Sequence, residues 1–156
     1  MSLESLSTLN LLLDRATQER DRLAAELRRG EDVAQRARRQ GEQLQAYRGE
    51  YLQRWGQQFG RGGAIEIVHC YQSFMQRLDE AVAQQQRQID AADQGVAAMR
   101  QLLLQAELRM ASVKKLIERR LADARRLEDR RDQRQTDETA QQLTRHRTRA
   151  GVALQH

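Results

Sequence analysis

Three histidines and one cysteine are the side chains of this sequence best suited to bind a metal ion or act as nucleophiles. His69 and Cys70 are adjacent, so on a helix their side chains would point about 100° apart. His146 and His156 lie far along the chain, and no two of the four share a helical face at the spacing of metal ligands. The sequence therefore predicts no metal centre and no cofactor.

A glycine-rich segment is the other feature that could do chemistry, because such loops cradle phosphate groups. Residues 56–63 hold four glycines, but a phosphate-binding loop also needs a preceding strand and a following Lys-Ser or Lys-Thr, and neither is present. The carboxylates are spread along polar faces, with no pocket expected to bring two of them together. We therefore expect no catalytic residues and no enzyme activity.

Positive charge is concentrated in the last third of the chain. Residues 1–113 contain fifteen arginines and fifteen acidic residues, whereas residues 114–149 contain twelve basic and seven acidic residues. Such a basic region can bind nucleic acid, an acidic membrane surface or an acidic protein surface. A basic coiled coil that binds nucleic acid is thus one alternative. Because the interspersed acids weaken phosphate affinity and no nucleic-acid motif is present, we expect no nucleic-acid partner.

The elements that carry these residues follow from the absence of proline and from periodicity. The chain has 156 residues and no proline, although average usage would give about eight. Apolar residues occupy most heptad positions a and d, here called the seam, from Leu6 to Trp55 and again from Val68 to Leu127. The predicted fold is all-α, a two-helix antiparallel coiled-coil hairpin forming a single domain over 1–156. Its segments are helix one at about 4–55, a turn at about 56–64, helix two at about 65–144 and a frayed tail at about 145–156.

Antiparallel pairing of the two seams predicts which residues face each other. With paired residue numbers that add up to about 126, Trp55 faces Tyr71 and the polar Gln85 faces Gly41, while a register slipped by one heptad remains open. Both apolar seams are then covered within one chain, so we expect a monomer. No apolar run approaches the roughly 18 to 20 residues of a membrane span, so we expect a cytoplasmic protein without a transmembrane segment.

Two places carry more than heptad pattern. The first is Tyr71-Gln72-Ser73-Phe74-Met75-Gln76-Arg77-Leu78-Asp79-Glu80-Ala81, preceded on helix one by Tyr47 to Tyr51. The second is Lys115-Leu116-Ile117-Glu118-Arg119-Arg120, followed by Arg130 to Ala140. Together they resemble the flagellar export protein FliJ family, and the resemblance covers nearly the whole chain in length and helix order.

The resemblance implies a stalk-like component of the flagellar type III protein export apparatus, similar to the central stalk of rotary ATPases. Its implied partners are the hexameric export ATPase FliI, the export gate protein FlhA and the chaperones of export substrates. The implied location is the cytoplasm, peripherally associated with the inner membrane. The YscO-like stalks of virulence secretion systems share this architecture and are the nearest alternative.

Two sets of candidate binding residues follow. The resemblance places the export-gate contact at Gln40, Leu44, Tyr47, Tyr51, Phe74, Leu78, Ala81 and Gln85. For Leu44, Tyr51 and Leu78 the competing interpretation is ordinary seam packing, and Gln85 could equally set the helix register. The sequence offers Glu118, Arg119, Arg120, Arg125 and Arg126 for the ATPase contact, although a run of charges is often only a solvated face.

Overall fold

The computed structural model describes residues 3–59 and 61–155. Two helices account for nearly all of them: α1 spans Leu3–Phe59 and α2 spans Ile65–Ala153, and the described residues contain no strand. The predicted all-α fold is confirmed. No helix in the described ranges combines the length and the apolar character that a membrane span needs.

The described residues divide into two compact units, which are considered separately. The hairpin unit is Thr17–Leu108, which contains the turn and the segments of both helices that flank it. The terminal unit consists of the described residues up to Ala16 together with those from Arg109 onward. The prediction of a single domain over 1–156 stays a prediction.

A narrow apolar seam holds the hairpin unit together. Its buried apolar residues all occupy seam positions, which recur in heptads along both helices: Leu23, Ala34, Met75, Leu78, Val96 and Ala106. Because a two-helix contact covers only one stripe of each helix, the remaining positions, apart from Gln85, are partly or fully exposed.

The observed pairing of α1 with α2 is the predicted one. The rings of Trp55 and Tyr71 have centroids 5.4 Å apart. A Cβ atom placed on Gly30 would lie 3.7 Å from Val96 Cγ2, and one placed on Gly41 would lie 3.6 Å from Gln85 Cγ. The predictions that Trp55 faces Tyr71 and that Gly41 faces Gln85 are confirmed.

Ion pairs link the two helices of the hairpin unit along one flank. The pairs are Arg100 Nη2 with Glu31 Oε1 at 3.4 Å, Arg48 Nε with Asp79 Oδ1 at 2.6 Å, and Arg38 with Asp93. All of these side chains are at least one-third exposed, so each pair contributes about 0 to 1 kcal/mol to stability. Their value lies in selecting one arrangement of the helices over others.

Ion pairs also form within α1. Arg22 donates hydrogen bonds to Glu19, one turn before it, and to Glu26, one turn after it. The hydrogen bond and the charge of Glu19, with a smaller effect of Glu26, raise the pKa of Arg22 above its ordinary value. Pairs at this spacing support a helix whose outer face is solvated.

The turn begins later than predicted. α1 continues past the expected end near residue 55 to Phe59, whose ring packs against Trp55 and Tyr71. The backbone then turns through hydrogen bonds from Arg61 N to Gln58 O and from Gly62 N to Phe59 O, and Gly62 adopts a φ of 84°, which favours glycine. Gly60, also part of the predicted turn, lies outside the described residues.

In the terminal unit, α2 extends further than predicted. It reaches Ala153, so most of the predicted frayed tail at 145–156 is helical, while His156 lies outside the described residues. Every residue from Arg125 to Gln155 is exposed. Helix-forming arginine and alanine supply five of its residues 145–153. The hydroxyl groups of Thr144 and Thr148 donate to the carbonyls four residues earlier, so these polar groups also find acceptors inside the helix.

Candidate protein-interaction sites

All six aromatic residues of the chain lie in one group beside the turn of the hairpin unit. On α1 they recur at every fourth position, which places them on one side of the helix, and α2 supplies two more. The members of this aromatic cluster are Tyr47, Tyr51, Trp55, Phe59, Tyr71 and Phe74.

Two tyrosines connect the cluster. The ring centroid of Tyr51 lies 4.2 Å from that of Phe74, 5.7 Å from Trp55 and 6.2 Å from Tyr71, against which it stacks. Tyr71 in turn contacts Phe59 edge-on at 5.1 Å. Each such contact adds about 0.5 to 1.5 kcal/mol beyond the burial of apolar area, so the cluster closes the end of the hairpin unit.

The aromatic cluster is packed but not buried. None of its six side chains falls among the buried residues of the seam, and Tyr47 is 48% exposed. The ring of Tyr47 lies 6.4 Å from that of Phe74 across the two helices. Partly exposed aromatic rings grouped on one surface are typical of a site that binds another protein.

The eight residues predicted for the export-gate contact fall into three groups. Tyr47, Tyr51 and Phe74 meet within the aromatic cluster. Gln40 and Ala81 are exposed, while Leu44 is half-buried. Leu78 and Gln85 are buried between the helices, where substitution would change packing directly. Their role in binding stays a prediction.

Three members of the aromatic cluster were not predicted as binding residues. Trp55 and Tyr71 were predicted to face each other across the seam, and Phe59 falls in the predicted turn. The four-residue spacing of the aromatic side chains on α1 was a signal that could have grouped Phe59 with the others.

The residues predicted for the ATPase contact lie on the α2 segment of the terminal unit. All five are exposed: Glu118, Arg119, Arg120, Arg125 and Arg126. Arg126 approaches Asp123 of its own helix at 3.9 Å, the limit of an ion pair. These guanidinium groups therefore face solvent, and their contact with another protein stays a prediction.

The described residues offer no grouping suited to metal chemistry. Within residues 3–59 and 61–155, no three His, Cys, Asp or Glu side chains cluster so that they could hold a metal ion. Cys70 is exposed. The features that stand out are surfaces rather than enclosed sites.

A helical hairpin with an aromatic surface beside its turn defines a class of coiled-coil proteins suited to binding other proteins. Residues 5–149 match the family described as Flagellar FliJ protein, and the chain belongs to this family. The resemblance found in the sequence is confirmed.

Two curated relatives carry the same description. The Flagellar FliJ protein of Salmonella typhi is 31% identical over 137 residues, which cover 88% of this chain and 91% of the relative. That of Escherichia coli (strain K12) is 30% identical over 137 residues, with the same coverage of both chains. No solved structure matches the chain.

Proposed function

We propose that this flagellar protein is a non-enzymatic component of the type III protein export apparatus and acts by binding other proteins of that apparatus. Membership of the FliJ family supports the flagellar role over the virulence alternative. The observation that supports the binding role is the aromatic cluster, since partly exposed tyrosine and tryptophan rings are frequent contributors to binding energy at interfaces.

The export gate protein is the partner that we assign to the aromatic cluster. Tyr47 and Phe74 come from different helices, yet their rings lie within 6.4 Å and present one apolar surface. Gln40 and Ala81 lie on the same flank, one heptad further from the turn on each helix, and are exposed. They would extend the contact along this flank.

The remaining predicted gate residues support this surface from below. Tyr51 lies under both outer rings, with centroids 6.2 Å from Tyr47 and 4.2 Å from Phe74. Leu44 is half-buried and Leu78 is buried. In this proposal they hold the two helices together beneath the rings that touch the gate protein.

The export ATPase is the partner that we assign to the terminal unit. The net charge of +5 resides in residues 114–156, and the arginines near the end of the seam are exposed, so they can reach carboxylates of another protein. Substrate chaperones, a monomeric state in isolation and peripheral association with the inner membrane complete the proposal.

A double substitution tests the gate contact. Tyr47→Ala with Phe74→Ala should weaken binding to the purified cytosolic part of the export gate protein at least about tenfold, since such anchors contribute 2 kcal/mol or more. Cells that carry the variant should lose motility. Thermal unfolding followed by circular dichroism should change little, because neither side chain is among the buried seam residues.

Leu104→Ala is the matched control. Leu104 is 49% exposed in the hairpin unit and lies away from the aromatic cluster, so the control removes a comparable exposed apolar side chain. It should retain both gate binding and motility. Unchanged gate binding by the double variant would refute the assignment.

A further inference from the structure

Gln85 is the one polar side chain among the described residues that is buried. It is 9% exposed and occupies a seam position between the two helices of the hairpin unit. Its Nε2 donates to the backbone carbonyl of Ala37 at 2.8 Å and to Gln40 Oε1 at 3.4 Å. Because its amide nitrogen would otherwise be buried without an acceptor, this contact with α1 has to be kept.

Gly41 makes the space that Gln85 occupies. A Cβ atom at position 41 would lie 3.6 Å from Gln85 Cγ and only 2.9 Å from Ile89 Cδ1. The helices therefore approach closely at this point, and the amide of Gln85 can reach the backbone of α1. An apolar pair at the same level would not need this arrangement.

Away from the aromatic cluster, the apolar part of the seam does not distinguish one heptad register from another. Its residues recur every seven positions on both helices, so sliding one helix by a heptad again sets apolar side chains opposite each other. After such a slide Gln85 would face Ala34 or Arg48 instead of Gly41. Gln85 would then lose the space that Gly41 provides. The aliphatic side chains of the seam would still pack against apolar partners.

The ion pairs between the two helices also favour the observed register over the slipped ones. In the observed register Glu31 forms an ion pair with Arg100, and Arg38 forms one with Asp93. A slide of one heptad in one direction would bring Glu31 beside Asp93, and a slide in the other would bring Arg38 beside Arg100. Attraction would become repulsion in both cases, although each exposed pair contributes little by itself.

We propose that Gln85, seated beside Gly41, is a positioning residue that fixes the register of α1 against α2 and thereby aligns Tyr47 with Phe74. A slide of one heptad would displace the two rings by about 10 Å along the helix axis, which would split the surface that they form. The consequence for gate binding rests on the proposed function, whereas the assignment of register does not.

Cysteine cross-linking in the full chain tests the register directly. In a Cys70→Ser background, the pair Gly30→Cys and Val96→Cys reports the native register, because a Cβ on Gly30 lies 3.7 Å from Val96 Cγ2. Gly30→Cys with Leu103→Cys, or with Ile89→Cys, reports the two slipped registers. Gln85→Leu is then added to each pair, and Gln84→Leu, an exposed neighbour, is the matched control.

The slipped pairs should cross-link about tenfold more in Gln85→Leu than in Gln84→Leu, which corresponds to about 1.4 kcal/mol of lost discrimination. The melting temperature of Gln85→Leu should be equal or higher, because leucine suits an apolar seam. A purely structural glutamine would change stability without changing which pair forms. Cross-linking of Gln85→Leu only through the native pair would overturn the proposal.

Gate binding by the same variants separates this inference from the proposed function. Slipped cross-links with weakened gate binding support both. Slipped cross-links with full gate binding support the register role and count against the aromatic cluster as the gate contact. Native cross-links alone refute the register role, whatever the gate binding.

Discussion

Two glycines of α1 meet different surroundings, and this difference gives a sharp test at the scale of single residues. A Cβ on Gly41 would come within 2.9 Å of Ile89 Cδ1, whereas a Cβ on Gly49 would meet nothing within 4 Å. Gly49→Ala should stabilise the protein by about 0.5 to 1 kcal/mol, since alanine favours the helix. Gly41→Ala should be about 1 kcal/mol less stable than Gly49→Ala, because the Ile89 side chain has to move. Thermal unfolding of the two variants measures the difference, and equal stabilisation would contradict the packing described for Gly41.

Single contacts across the seam were predictable, whereas the aromatic cluster was predictable only in part. Heptad positions fix which seam residues oppose each other, so Trp55 with Tyr71 and Gly41 with Gln85 followed from the sequence. The cluster depends on α1 continuing to Phe59 and on how six large rings pack at partly exposed positions. The four-residue spacing places the aromatic residues of α1 on one side of a helix, but it tells neither where α1 ends nor how the rings pack. The sequence likewise leaves Gln85 with two interpretations, and only the structure shows its hydrogen bond to the carbonyl of Ala37.

At the scale of elements, the last part of α2 is a helix without a covering element. All residues from Arg125 to Gln155 are exposed, although the helix continues to Ala153. Hydrogen exchange followed by mass spectrometry should therefore show faster exchange of backbone amides in 128–153 than in 75–106, since a helix opens locally when tertiary packing does not hold it.

Deletion of residues 139–155 provides the control for this prediction. The deletion should leave the melting temperature of the remainder nearly unchanged, because it removes no buried side chain. Equal protection of both segments, or a large fall in melting temperature on deletion, would show that the end of α2 is covered.

The end of α2 illustrates where sequence patterns give no signal. The apolar seam stops at Leu127, so periodicity predicts no helix boundary beyond it. Helix continuation there depends on local terms: the intrinsic propensities of its arginines, glutamines and alanines, and the absence of proline. Each of these contributions is small, so together they form no pattern that the sequence shows. Fraying was therefore expected from residue 145, whereas the structure has a helix there.

At the scale of the whole molecule, the uneven charge distribution should govern binding to the ATPase. Reversing Arg119, Arg120, Arg125 and Arg126 to glutamate should leave helicity and gate binding intact, because these side chains are exposed and distant in sequence from the aromatic cluster. Stimulation of the export ATPase should be lost. Because single exposed pairs are worth about 0 to 1 kcal/mol, only a group of charges can produce this effect, and added salt should weaken the unmodified contact.

A matched control reverses the same number of charges on the hairpin unit. Four exposed arginines of α1 serve this purpose: Arg28, Arg29, Arg36 and Arg39. This variant should stimulate the ATPase normally. Normal stimulation by the first variant at low salt would instead show that its arginines form only a solvated face.

The only tryptophan of the chain lies within the aromatic cluster, which gives the protein a built-in optical probe. The ring of Trp55 is 5.7 Å from that of Tyr51 and 5.4 Å from those of Tyr71 and Phe59. At such separations excited tyrosines pass their energy to the indole, so ultraviolet emission originates almost wholly from the turn end of the hairpin unit. Any partner that covers or rearranges these rings will change that emission, and its arrival can be timed in a stopped-flow fluorimeter without a label.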